Sequence, residues 1–296
     1  MRRFIQVLHF GWGHTVLIAK EQDRGLGYTI CIFFDIICCY LKYHLYSNEY
    51  MKERFYLLKG ADKKKIGEKY RLERNRLDKW WSDFYKNRSF LNKYTVKRYE
   101  ESPYKMEVRN QAYRRRYNMG KNCHVEYNVE IIRQHALDGT IRMGDDVLLC
   151  RNVFIDYSGD VFIDSGVKIS ANVKIETHGH ASYTNSIAKG AYKTPLIIEK
   201  NVQIGIGTII MEGCNRIGKE ARIGAGAVIR SNIPPYAIVL GNPAKIVGFT
   251  IAPQDLEVYE CEKYSVEERT SKEKYVQIYE KYVSMRTKEI VNCLKL

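Results

Sequence analysis

Aliphatic residues return at every sixth position between Met143 and about Ile233. The register reads Met143, Leu149, Ile155; Ile163, Ile169, Ile175; Ile198, Ile204, Ile210; Ile217, Ile223, Ile229. Each opens a unit of six, such as Ile169-Ser-Ala-Asn-Val-Lys. The fifth place of the unit holds Val147, Val153, Val167, Val173, Val202, Thr208, Ala221 and Ala227, all small or β-branched. An amphipathic helix would repeat near 3.6 residues and a half-buried strand every second residue, so neither fits. A short period repeated this often marks a solenoid. Three units close one triangular coil of a parallel β-helix. Its aliphatic residues point into a narrow core, and Gly or Asn takes the tight turns. Stacking the coils predicts columns of like side chains, for instance Ile163 over Ile198 over Ile217.

The register slips where coils close. Val161 and Phe162 are two extra residues, Arg216 is one, and Ala181–Ile197 is a long insertion directly after Ile175-Glu-Thr-His-Gly-His. Residues 119–142 read as irregular first rungs. Past Pro234 and Pro235, the run from Tyr236 reads as a last strand leaving the repeats. The expected organisation is mainly β: a basic helical N-terminal region over 1–118, a β-helix domain over 119–250, and a charged, Tyr-rich helical tail over 251–296.

Charge is concentrated in the first region. Residues 1–120 carry 26 Lys and Arg against 13 Asp and Glu, which is +13 of the chain's +14. A basic module suits an anionic partner such as a phospholipid surface or a phosphorylated carrier. Alternating basic and aromatic residues over 61–117, including Lys79-Trp-Trp, also occur on nucleic-acid binders. No zinc-finger or RNP-like pattern accompanies them, so a solvated helical surface is expected and no nucleic acid. The apolar window from Gly27 to Leu41 is short for a bilayer and contains Asp35. It reads as a buried helix, with flanks that suit lying on a membrane surface. The eight cysteines show no CxxC and no framework spacing, which points to reduced thiols in a cytoplasmic protein, peripheral at most to the inner membrane face. Cys150 and Cys214 fall at interior-type positions.

The hexads, Ile204-Gly-Ile-Gly-Thr-Ile-Ile, Ile217-Gly-Lys-Glu-Ala-Arg-Ile-Gly-Ala-Gly-Ala-Val and the exit Gly241-Asn-Pro-Ala-Lys together resemble the hexapeptide-repeat O-acetyltransferases. That resemblance covers about Met143–Val247 and implies a left-handed β-helix, acetyl-CoA as co-substrate, a sugar or glycan acceptor and a homotrimer with sites between neighbouring solenoids. It places His180 where the family's catalytic His stands. His180 is therefore the expected base, and His178, two residues earlier on the same side of an extended strand, is a second polar contact that could exchange roles with it. Imidazole suits the base that takes a hydroxyl proton near neutral pH.

For the acceptor, the resemblance points to Asn152, Asp156, Tyr157 and Ser158. Ser158 stands where the galactoside enzymes carry Asp, so Asp156 is the candidate acid. For the donor, small residues that let a pantetheine arm lie along stacked coils are Gly205, Gly207, Ala225 and Gly226. Arg230, Ser231, Asn242 and Lys245 are placed to meet the nucleotide end. No metal is expected. A gamma-type carbonic anhydrase on the same fold would need three converging His, and a non-enzymatic membrane or glycan scaffold would use residues 1–118 alone.

Overall fold

A computed structural model describes Ile30, residues 79–80, 82–134, 137–180 and 191–294, with backbone alone at 180, 191 and 287–294. The chain divides into two compact units, 1–74 and 75–296. The Gly27–Leu41 window and most of the expected N-terminal helical region lie outside the described residues. Among the described residues, no helix is long and apolar enough to cross a membrane.

The second unit is a parallel β-solenoid of about five turns. Its first face stacks His124–Val125, Leu148–Leu149, Lys168–Ile169, Gln203–Ile204, Arg222–Ile223 and Ala237–Leu240. The second face stacks Glu130–Ile132, Phe154–Asp156, Lys174–Ile175, Ile209–Ile210 and Val228–Ile229. The third stacks Ile141–Met143, Val161–Ile163, Leu196–Ile198 and Arg216–Ile217.

The sixfold register maps directly onto these ladders. Met143, Ile163, Ile198 and Ile217 pair in one column, Leu149, Ile169, Ile204 and Ile223 in another, and Ile155, Ile175, Ile210 and Ile229 in the third. The fifth-position residues are buried with them, from Val147 to Ala227. Each aliphatic side chain therefore sits between two of its kind in a core one residue wide, where a lost methyl cannot be refilled from the side. Ile169→Ala is expected to destabilise by about 2–5 kcal/mol. The check is urea unfolding, with the outward neighbour Lys168→Ala leaving the midpoint unchanged.

The corner between the first and second faces is left-handed in every turn. Asn128, Asn152 and Asn172 have φ of 56°, 59° and 62°, followed by Gly207 and Gly226 at 69° and 67°. Asn is one of the few side chains that tolerates this region, because its amide bonds locally. Here the amides also bond to one another, Asn128 donating to Asn152 at 2.9 Å and Asn152 to Asn172 at 2.9 Å. The corner between the second and third faces carries the chain's excursions instead.

Four expectations change. The described residues of 119–142 already supply a strand to each of the three faces, with Met119 bridging Met143 and the strands in register with the next turn. The excursion starts at His178, which opens a short antiparallel ribbon pairing His178–His180 with Ala191–Lys193. Leu196 and Ile197 belong to the third face, since backbone bonds to the coils on either side hold them there. The exit strand Ala237–Leu240 stays on the first face, and only Lys245–Phe249 turns back antiparallel against it. Cys214 is buried as expected, whereas Cys150 is half-buried, one place beyond the inward Leu149.

Both ends are covered. Helix Pro103–Tyr117 begins with Ser102 accepting from the Lys105 amide at 3.2 Å and ends at left-handed Asn118. Its Tyr113 and Tyr117 are buried in the solenoid core, their hydroxyls donating to the carbonyls of Val129 at 2.6 Å and Ile131 at 3.0 Å. At the far end, helices Leu256–Lys263 and Lys272–Leu294 follow the last strand. Leu256 and Tyr275 bury Tyr236 against the solenoid. Lys219, almost fully buried, lies 2.7 Å from Glu260 and 4.4 Å from the Tyr264 ring centre.

Candidate active site

Glu176-Thr-His at the end of the third coil faces Asp156-Tyr-Ser at the same corner one coil earlier. Asp156 has no exposed surface, and a bare buried carboxylate would be costly. It is held by donors from three successive coils. Oδ1 accepts from Gln134 N at 3.2 Å, Ser158 N at 3.0 Å and Ser158 Oγ at 2.6 Å; Oδ2 accepts from Thr177 N at 3.3 Å. Oδ2 also lies 2.6 Å from His178 Nδ1. The Thr177 hydroxyl donates to the Asp156 carbonyl at 2.7 Å and accepts from Gly159 N at 2.9 Å, which locks the two coil ends together. The ring of His178 is thereby fixed in place as the chain leaves the solenoid. A carboxylate on Nδ1 selects the tautomer with its proton there and steadies the imidazolium formed when the ring takes a proton.

Glu176 stands 3.8 Å from His178 Nδ1 and accepts from Gln134 Nε2 at 3.2 Å. Burial, and next the Asp156 charge, raise its pKa above the ordinary 4.5. The folded chain therefore binds this proton more tightly than the unfolded chain does. Stability is fully present below the unfolded value and falls as pH rises toward the folded one. Glu176→Gln is expected to gain thermal stability relative to wild type as pH rises from acid to neutral. Melting curves across that range check it, and an unchanged difference would contradict the assignment.

Asp156, Glu176 and His178 bring ligand-type atoms within 4.8 Å of one another, the one such group among the described residues. One His and two carboxylates differ from the three His that a gamma-type carbonic anhydrase needs. Both Asp156 oxygens already serve as acceptors for the corner, so a cation there would have to displace bonds that hold the coils together.

The expected site residues fall into three places. Fully buried Asp156 and Ser158 form one cluster with half-buried His178 and Tyr157; burial pushes the Tyr157 hydroxyl's pKa up. His180 ends the ribbon strand, its backbone opposite Ala191, and its side chain lies outside the described residues. Asn152 belongs to the left-handed corner at the opposite edge of the second face.

On that same corner lie Gly205, Gly207, Ala225 and Gly226. Gly205 has no room for a side chain, since a Cβ there would come 2.6 Å from Ala225 N. The Gly241–Ala244 turn docks onto the corner through Val228 N to Gly241 O and Ala244 N to Val228 O, both 3.1 Å, which brings exposed Asn242 and Lys245 to its end. Arg230 and Ser231, also exposed, sit on the other corner, the one that carries His178. Sequence reasoning did not single out Glu176, Thr177 or Gln134. Glu176 was legible as an outward acid two residues before a His, while Thr177 and Gln134 become visible only through stacking.

The sequence is similar to known acetyltransferases. It is 31% identical to a galactoside O-acetyltransferase of Lactococcus lactis subsp. lactis over 121 residues, 40% of this chain and 58% of that protein. It is 37% identical to a Saccharomyces cerevisiae protein named as an acetyltransferase, YJL218W, over 108 residues, 36% of this chain and 55% of that one. It spans little more than half the length of these two relatives. No family profile matches the sequence. A solved hexapeptide-repeat acetyltransferase of Vibrio cholerae with acetyl-CoA is similar at TM-score 0.48 and 22% identity, over 57% of this chain and 90% of that one. Among the described residues, helical elements lie at both ends of the solenoid.

Proposed function

We propose that the protein transfers an acetyl group from acetyl-CoA to a sugar hydroxyl, with an imidazole of the His178–His180 strand as general base. The observation that carries this is the 2.6 Å contact between His178 Nδ1 and fully buried Asp156. A carboxylate-oriented imidazole at the mouth of an excursion is the arrangement that acyl transfer to an alcohol requires. The geometry favours His178 as the base. The family resemblance favours His180, and separate variants distinguish them.

In the reaction, the base takes the hydroxyl proton as the oxygen attacks the thioester carbonyl. A backbone N–H stabilises the oxyanion, the C–S bond breaks, and the proton passes to the departing thiolate. Asp156 and Ser158 act through His178, because neither has surface to offer a sugar. The smooth corner of Gly205, Gly207, Ala225 and Gly226 takes the pantetheine arm, and Asn242 and Lys245 take the nucleotide end. That corner and the His178 corner flank opposite edges of one face. A homotrimer that brings one protomer's His corner to its neighbour's donor corner would complete the site.

The sugar hydroxyl as acceptor is supported by the galactoside relative and by the polar surface beside His178. The basic N-terminal region suits an acceptor carried on a phosphorylated or lipid-linked carrier, in surface-polysaccharide or glycan assembly at a membrane face. The test is thiol release from acetyl-CoA by the full chain across a panel of free and carrier-linked glycans. Release that depends on one class of glycan is expected. No acceptor-dependent release with any sugar would overturn the reading.

A further inference from the structure

The outer surface of the second face carries a groove of about 330 Å³ lined by Asn128, Glu130, Asn152, Phe154, Lys174 and Glu176. It runs from the Asn corner to Glu176, the residue 3.8 Å from His178 Nδ1. Its volume lies at the small end of ligand-binding clefts, about 300–1,000 Å³.

The lining is mixed in a specific way. Phe154 offers one partly exposed aromatic surface. Asn128 and Asn152 offer amides already fixed by the corner ladder. Glu130 is tied to Arg88 at 3.7 Å, and Glu176 holds its proton more readily than an ordinary carboxylate, so the groove is not a bare anionic patch. Lys174 is exposed on the strand between them. Pre-oriented amides and carboxyls match pairs of adjacent hydroxyls, and an aromatic surface matches the C–H face of a sugar ring.

Resting on the acetyl-transfer reading, we infer that this groove is a second sugar subsite: it binds the ring next to the one acetylated, so the acceptor is a glycan of at least two residues. A single sugar would occupy only the His178 corner. An extended glycan would gain the Phe154, Asn152 and Lys174 contacts as well.

The experiment compares a monosaccharide and its extended glycan, by turnover and by calorimetric binding to the full-length protein. Wild type should favour the extended glycan by more than about tenfold in kcat/KM, each tenfold being about 1.4 kcal/mol. Phe154→Ala and the surface change Lys174→Ala should each erode that preference while leaving the KM for acetyl-CoA and the rate with the monosaccharide unchanged. Lys174→Ala covers the case in which Phe154→Ala fails to fold. Binding without turnover, still lost in the variants, would keep the groove and remove the acetyl-transfer reading. Turnover with equal use of both sugars, or extended-glycan binding untouched by both variants, would overturn the subsite.

Discussion

His178→Ala is expected to lower kcat by about 10²–10⁴-fold, the usual worth of a positioned general base, with acetyl-CoA affinity unchanged. The expectation follows from the bond network at the coil end. Asp156 fixes Nδ1 of the ring, and Thr177 and Ser158 fix Asp156. Removing the imidazole leaves the buried carboxylate with its backbone and hydroxyl donors, so the fold should survive while the proton acceptor is gone. Asp156→Asn keeps the volume but loses the charge that stabilises the imidazolium. It should lower kcat while leaving acetyl-CoA affinity unchanged. His180→Ala is the control that matters most. A small effect there beside a large one at His178 assigns the base to His178. The reverse pattern transfers that role to His180 and leaves Asp156–His178 as its scaffold.

The second large effect concerns stability. Glu260→Ala is expected to cost about 3–5 kcal/mol, because it leaves the almost fully buried Lys219 ammonium without its carboxylate, with only the Glu268 carbonyl and the Tyr264 ring beside it. Glu260 also accepts from Tyr236 at 2.5 Å and from Thr270 N and Oγ1 at 2.6 and 2.7 Å, so one carboxylate ties the tail to the last coils. Burial alone would raise its pKa, but the bonds from Lys219, Tyr236 and Thr270 outweigh that and hold it below the ordinary 4.5. The stability it contributes is therefore present above its unfolded pKa and is lost as pH falls toward the folded one. Urea unfolding at neutral and acid pH should show the wild-type advantage over Glu260→Ala shrinking in acid. Replacing Lys219 and Glu260 together by Met and Leu should recover much of the loss, since the penalty arises from the stranded charge.

The solenoid was legible because each hexad states its own position. Ile163, Ile198 and Ile217 recur in phase and stack in phase, and backbone bonding between identical units leaves little else to decide. The ends were less legible. Residues 119–142 look irregular because the Tyr113 and Tyr117 side chains cover that first coil, so its strands need fewer aliphatic residues of their own. The exit strand reads as leaving the repeats because Pro234 and Pro235 interrupt the period. Arg222–Ile223 nevertheless captures Ala237–Leu240 in register.

At the site, the sequence pointed to the Asp156 and His178–His180 stretches separately. Their meeting comes from coils stacked over 22 positions of sequence, a distance that no local pattern measures. Ser158 stood out by its place in the family pattern; its bond to Asp156 is a local one across two residues, and the donors that reach Asp156 from other coils, Gln134 and Thr177, emerge only when three coils are stacked. Arg230 and Lys245 looked like neighbours near the exit, yet they lie on different corners because Ala237–Leu240 adds one more rung between them.

The linkage of the transferred acetyl group is the most direct single measurement. The full chain is incubated with acetyl-CoA and its best glycan acceptor, and the product is analysed by mass spectrometry before and after mild alkali. One added acetyl per acceptor, removed by alkali as an ester and absent from the His178→Ala reaction, is the expected result. An alkali-stable amide, or acetylation that proceeds equally well without both His178 and His180, would contradict hydroxyl transfer by an imidazole base.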